Sequence, residues 1–380
     1  MTDFAPDFAR EEYRTRLHRA QTMMDRAGLA ALLLTTEPEV RYFTGFLTRF
    51  WESPARPWFL IVPASGDPVA VIPSIGAHLM GQSWITDIRT WRSPQPDDDG
   101  ISLLRDALAE VGGPVGVPSG AETHLRMPLD TWAALQTAAA FRDDAGIMHR
   151  LRLIKSDAEI DRIATICQIA NTAFDRVPEV IGAGLPLSEV FRRFQILLLT
   201  EGADWVPYLA GAAGQGGYGD VISPATDVPL MDGDVLMLDT GAVKAGYYCD
   251  FDRNFAVGDV DQAAHDAHAR LIEATEVGFE AAQPGATAAD LFHAMDRVVT
   301  GGAGGSDAGR LGHGLGMQLT EWPSLMPADH TVLEPGMVLT LEPGIELAPG
   351  RMLVHEENIV ITAEGPQWLS IPSDEHMVQL

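Results

Sequence analysis

Val235-Leu-Met-Leu-Asp-Thr-Gly-Ala242, Val243-Lys-Ala-Gly246 and Tyr247-Tyr-Cys-Asp-Phe-Asp252 form one unbroken stretch of the chain. Apolar residues alternate on both sides of a short Gly-containing connection, which is the pattern of a β-hairpin. A turn centred on Lys244-Ala245 would pair Asp239 directly with Asp250. Cross-strand partners hold their Cβ atoms about 5 Å apart, where like charges repel. Two carboxylates at that separation need a shared proton or a cation. Further along stand His313 in Gly-His-Gly-Leu-Gly, Glu342 in Leu-Glu-Pro-Gly and Glu356 in Val-His-Glu-Glu-Asn. One imidazole with four carboxylates suits a pair of hard to borderline divalent cations.

Around this hairpin the chain reads as two domains, expected over residues 1–150 and 151–380. The first alternates helix and strand signals. An amphipathic helix is expected over Arg10 to Ala27, ending at Gly28, followed by the continuous apolar run Leu29 to Thr35, the mark of a strand buried on both faces. Trp58 to Val62 and Val69 to Ile72 flank a turn, and a helix over Ile101 to Val111 precedes a strand near Val115. The seam falls near Met148 to Lys155. Ser156 with Glu159 then makes a capping box that opens a long helix. The second part is expected to carry helices over Leu187 to Glu201, Gln262 to Ala282 and Ala288 to Thr300, and strands around Val338–Glu342 and Leu353–Thr362. Outer helices around an antiparallel sheet give an α+β class, a small α/β domain followed by a larger one with its site in the sheet's concavity.

The bulk numbers bound the function. At 380 residues and 46% hydrophobic content the chain can bury two cores. A formal charge of −27 argues against nucleic acid and anionic membrane as partners. No apolar run approaches the roughly 20 residues of a membrane span. The opening Met-Thr-Asp-Phe-Ala-Pro-Asp lacks the apolar region of a secretory signal. Cys167 and Cys249 are too few for a disulfide framework. A soluble, cytoplasmic protein with reduced thiols is expected.

These residues together resemble the creatinase/prolidase/aminopeptidase P superfamily, the pita-bread fold. Glu39-Val-Arg-Tyr-Phe-Thr-Gly-Phe46 is similar to its N-domain signature and Leu151-Arg-Leu-Ile-Lys-Ser-Asp-Ala-Glu-Ile160 to its domain junction. Gly233-Asp234, Asp239-Thr-Gly-Ala, Gly246-Tyr, Asp250-Phe-Asp-Arg253, Gly312-His-Gly-Leu-Gly316 and Leu341-Glu-Pro-Gly344 match its catalytic half. The resemblance implies a homodimeric metal-dependent hydrolase whose N-terminal domain covers a neighbour's active site. It makes Asp239, Asp250, His313, Glu342 and Glu356 ligands of two divalent cations (Mn, Fe, Co or Zn). Family members place the last ligand three residues before the closing strand's first Val or Ile. Counting back from Ile359 selects Glu356 over Glu357.

The departures from the family pattern concern substrate handling. Where proline-specific relatives carry histidines, this chain has Ile222, Thr320 and Gly309, and Val354 stands in place of an arginine. Asp252 replaces a family threonine and shares a strand face with Asp250. It is expected to approach the metals or to pair with Arg253 or Lys244. The candidate catalytic residues are therefore Asp252, Thr320 and Glu342. His355 should point to the opposite strand face, in a packed or surface role. Tyr208 and Tyr218 are candidate pocket walls. Arg49, Trp51 and Arg56 are candidates to reach the neighbour's site, the arginines to clamp a carboxylate and the indole to stack on a cationic head group. The implied substrate is a dipeptide or another small amide, with an ordinary Xaa-Pro aminopeptidase or dipeptidase kept as an alternative. The superfamily also includes a dimethylsulfoniopropionate-cleaving branch, so a lyase acting on a small zwitterion is the second reading, and a non-catalytic binding protein the third.

Overall fold

Ala31–Leu34, four apolar residues buried without exception, lies in the interior of a six-stranded mixed sheet. The computed structural model describes residues 8–53 and 56–380. The opening Met-Thr-Asp-Phe-Ala-Pro-Asp that bears on a signal sequence lies outside these residues. The chain divides after Arg152 into two compact units.

In the first unit Ala31–Leu34 pairs antiparallel with Phe59–Pro63 and parallel with Val115–Val117. Phe59–Pro63 and Val69–Pro73 form the expected hairpin. Leu33, Phe59, Ile61, Val71, Leu104 and Leu108 pack into one core against this sheet. The helix Arg10–Ala27 buries Tyr13, Leu17, Ala20 and Met24, the three- and four-residue spacing of one helical face. Gly28 ends it in the left-handed conformation (φ 64°), its N–H turned back to the carbonyls of Met24 and Asp25.

In the second unit Ser156 and Glu159 cap the helix Asp157–Asp175 reciprocally, and Thr287 and Asp290 do the same for Ala288–Val299. One sheet runs in the order Val378–Gln379, Phe251–Ala256, Asp234–Lys244, Trp205–Gln215. A second runs Glu321–Ser324, His313–Gly314, Val338–Leu341, Glu357–Thr362, Gly365–Trp368 and is antiparallel throughout. Leu291, Phe292 and Met295 of a helix pack against Leu339, Leu341 and Ile359 of this second sheet in a shared core.

Two expectations need correction. The hairpin register is shifted by two residues: Lys244 pairs with Tyr247 and Asp239 faces Asp252, not Asp250. The turn is Ala245-Gly246, with both residues at positive φ (48° and 74°). A two-residue hairpin turn that matches strand twist requires positive φ at both central positions, and Gly246 supplies one of them at no steric cost. A shift of two preserves the face of every side chain, so residues 239, 250 and 252 still share one. The second correction concerns Leu353–Thr362, which is not one strand. Arg351–Val354 pairs with Gly344–Ala348, and Glu357–Thr362 joins the other sheet, leaving His355 and Glu356 between them.

Candidate metal centre

Each of the acidic candidates is set by a strand or a strand end. Asp239 lies within Asp234–Lys244, and Asp250 immediately precedes Phe251–Ala256. The ladder between Val338–Leu341 and Glu357–Thr362 ends on the pair Leu341–Glu357, so the next residues outward are Glu342 and Glu356. His313 opens the two-residue strand His313–Gly314. Its flanking glycines are obligatory there. A Cβ on Gly312 would lie 2.3 Å from the Thr340 carbonyl oxygen, and one on Gly314 would lie 1.9 Å from that of Trp322. The backbone N–H of His313 donates to the Thr340 hydroxyl at 3.0 Å, fixing the ring's base.

Asp250, His313 and Glu356 converge, each with a ligand atom within 4.8 Å of the others', and all three are buried. The Nε2 of His313 is 3.4 Å from Asp250 and 3.7 Å from Glu342. Its Nδ1 sits 2.8 Å from the Gly314 carbonyl, which can only accept, so Nδ1 carries the proton and Nε2 is left as a lone-pair donor. Burial, helped by the Arg310 charge, depresses this imidazole to about 4, so it is neutral at pH 7. The carboxyls shift the other way. Burial and the facing Asp252 push Asp239 up to about 8, and burial takes Glu342 to about 7 despite Arg310. Asp250 and Glu356 are raised well above the usual range, by burial first and by their acidic neighbours next.

Oδ1 of Asp239 and Oε1 of Glu356 are buried with no hydrogen-bond donor among the described residues. Orphaned carboxylate oxygens beside a bare imidazole nitrogen are the donor set of a divalent cation, so the residues fit that group. Glu357, by contrast, is fully engaged. Arg253 binds it at 3.1 Å, the Ser373 N–H at 2.8 Å, and the Ser370 hydroxyl also donates to it. The two adjacent glutamates therefore do different work, one facing the cluster and one bracing the fold.

Asp252 is 1% exposed and pairs with neither of its expected cations: Arg253 reaches Glu357 and Lys244 reaches Asp204. Its neighbour is His355, whose Nδ1 lies 3.4 Å away while Nε2 lies 3.2 Å from Glu357. The expectation that strand alternation turns His355 to the opposite face does not apply, because the chain leaves the ladder at this residue. Burial disfavours the imidazolium, but the two flanking carboxylates outweigh it and raise its pKa.

The other candidates divide. The Tyr208 hydroxyl donates to Asp239 Oδ2 at 3.0 Å and so touches the cluster. Tyr218 does not wall an open pocket: it is 1% exposed, and its hydroxyl donates to Asn254 and accepts from the Val354 N–H. Thr320 is half-buried and its side chain makes no hydrogen bond among the described residues. Ile222 is 81% exposed. In the first unit, Trp51 is not available to stack on a ligand as it stands. It is buried against Trp58, ring centroids 5.8 Å apart, and the Arg126 guanidinium lies 5.5 Å from its ring. Arg49 is exposed, and Arg56 packs over the Phe50 ring.

Asn358 was missed by the sequence reading. Fully buried, it accepts from the Asp250 N–H at 3.0 Å and donates to the Asp250 carbonyl. It thereby ties the residue at the head of one sheet's strand to the other sheet, beside Glu356. An Asn two after the last candidate ligand was its only trace in the sequence. Asn358→Leu is expected to cost about 3 kcal/mol, since two buried backbone groups lose their partner. Denaturant unfolding would measure this, and metal titration should show weakened binding.

Comparison with known proteins agrees with this geometry. Residues 161–363 match the model of metallopeptidase family M24, and residues 16–154 match the creatinase/prolidase N-terminal domain. The probable dipeptidase PepE of Mycobacterium tuberculosis is 29% identical over 363 residues, covering 94% of both chains. An Xaa-Pro dipeptidase of Pyrococcus horikoshii is 26% identical, covering 91% of this chain and 94% of its own. Among solved structures, dipeptidase PepE from Mycobacterium ulcerans superposes with a TM-score of 0.84 at 25% identity, covering 98% of this chain and 99% of that one. The Xaa-Pro dipeptidase from Bacillus anthracis gives 0.83 at 25% identity, covering 97% and 100%. The chain belongs to metallopeptidase family M24, carries a creatinase-type N-terminal domain and has the pita-bread fold.

Proposed function

We propose that this M24 family member is a dipeptidase that uses two divalent cations and is not specialised for proline. Asp239, Asp250, His313, Glu342 and Glu356 would hold the cations, of the Mn, Fe, Co or Zn kind by donor chemistry. The observation that carries this reading is the buried convergence of Asp250, His313 and Glu356 around oxygen atoms that lack donors. Such cations, when bound, acidify water and polarise a carbonyl oxygen.

The chain's own residues supply orientation and proton handling. Tyr208 fixes Asp239 through its hydroxyl. Asp252 and Glu342 are the acid–base groups of the proposal, since both border the cluster and Oδ1 of Asp252 lacks a hydrogen-bond donor. The Nδ1 of His355 lies 3.4 Å from this same oxygen, as a charged neighbour of the carboxylate. The proline-handling donors of relatives have no counterpart at Ile222 or Val354, because Ile and Val donate no side-chain hydrogen bond, and Thr320 offers a short hydroxyl where relatives carry an imidazole. Relaxed specificity follows from that. A homodimer belongs to the same proposal, with the exposed Arg49 as the residue to reach a neighbour's site.

The test is a panel of dipeptides offered to manganese-loaded protein. Ala-Leu and similar non-prolyl dipeptides should be cleaved at least as fast as Ala-Pro, and a chelator should stop both. A marked preference for Ala-Pro would refute relaxed specificity. Cleavage of no dipeptide, together with an unsaturated product from a betaine-like compound, would replace hydrolysis by elimination.

A further inference from the structure

Beside the metal cluster lies a second polar feature that the proposed chemistry leaves unused. A cavity of about 560 Å³ opens against Glu342 and is lined by Gly309, Arg310, Ile345, Arg351 and Val354 among others. Its volume is in the range of small-molecule sites. Arg310 stands in its wall with 37% of its side chain exposed. Nε of Arg310 donates to Glu342 Oε1 at 3.2 Å, and this is the side chain's one hydrogen bond among the described residues. The two terminal amino groups, the tines of the guanidinium fork, have no acceptor among the described residues. Arg351, the other cation in the wall, is already engaged by Asp261 at 3.2 Å. Asp307 and Glu346 border the cavity, but both are exposed to solvent, which screens them.

We propose that Arg310 is a carboxylate receptor, and that the substrate presents a free carboxylate to it within this cavity. The inference rests on the hydrolase reading above and narrows its substrate class. A guanidinium held at Nε keeps a flat pair of N–H donors whose spacing matches a carboxylate's two oxygens. Glu342 does the holding. Its Oε1 takes Arg310 and its Oε2 faces His313 at 3.7 Å, so one side chain joins the receptor to the metal cluster. A carboxylate seated on the fork lies one side chain away from the reacting centre, as the end group of a compact dipeptide does. The apolar flank of Ile345, Met352 and Val354 offers room for the neighbouring aliphatic side chain. Open space at Gly309, where a Cβ would meet nothing within 4 Å, keeps the approach clear.

Calorimetric binding of N-acetyl-leucine and N-acetyl-leucinamide to the metal-loaded full chain tests this without any turnover. The acid should bind the wild type at least about 10-fold more tightly than the amide, the worth of one charge-assisted pair. Arg310→Gln should erase that preference, and Arg310→Lys, which keeps the charge but not the fork, should retain only part of it. Metal content is measured on each variant. If Arg310→Gln loses metal, the preference is read in Arg310→Lys, which leaves a cation on Glu342. Equal affinity for the two probes, no measurable binding of the acid, or a preference undiminished in the variants would overturn the receptor. A preserved acid preference in a protein that cleaves no dipeptide would keep the receptor and defeat the hydrolase reading instead.

Discussion

Glu356→Gln is expected to strip the protein of divalent metal and lower kcat/KM for a cleaved dipeptide by more than about 100-fold, since even outer partners of metal ligands cost 10- to 100-fold. Glu357→Gln, one residue on, should behave in the opposite way. Glu356 has an orphaned buried oxygen and acidic neighbours that raise its pKa. Making it neutral removes repulsion from the metal-free protein, whose melting temperature should hold or rise. Glu357 is bound by Arg253, Ser370 and Ser373 and lies against His355. Its loss leaves the Arg253 charge buried without its partner, at a cost of about 3 kcal/mol or more. Metal analysis and thermal unfolding of the two variants side by side measure both effects. If the variants lost metal equally and fell in stability equally, the assignment of separate roles would fail.

Metal removal should have an effect that depends steeply on pH. In the metal-free protein Asp239 and Glu342 titrate near 8 and 7, and Asp250 and Glu356 are also raised. The same groups in the unfolded chain titrate near 4. Between about pH 4 and pH 8 the folded state therefore holds protons that the unfolded state has released, and stability declines as pH rises through that window. Bound cations replace those protons and remove the decline. The gap in melting temperature between metal-loaded and metal-free protein should widen from pH 5 to pH 8.5, by on the order of 5 °C or more. Comparing the two forms at each pH cancels titrations elsewhere in the chain. Parallel curves would mean that the carboxylates do not share protons in this way.

Much of this site could be read from the chain because each candidate ligand stands at a strand or strand end with its own local signature. Asp239 and Asp250 flank a hairpin, His313 sits between glycines that only a crowded backbone demands, and Glu342 precedes Pro-Gly. The register was misjudged by two residues, yet the period of a strand made the error harmless to the face. What escaped prediction depends on long-range pairing. His355 is reached by Asp252, about a hundred residues earlier, and it sits where the chain leaves its ladder, so alternation gave the wrong side. Asn358 acts through the Asp250 backbone, which no local pattern records. Trp51 and its arginine-rich surroundings looked like a ligand arm, but Arg126, 75 residues away, lies over the indole and donates to the Trp51 backbone carbonyl.

The most direct measurement is anomalous diffraction from crystals of the full chain grown with manganese. Two anomalous peaks are predicted within bonding distance of Asp239, Asp250, His313, Glu342 and Glu356, with the Glu357 carboxylate still on Arg253. Manganese bound only elsewhere, or those five side chains parted with no peak among them, would contradict the account.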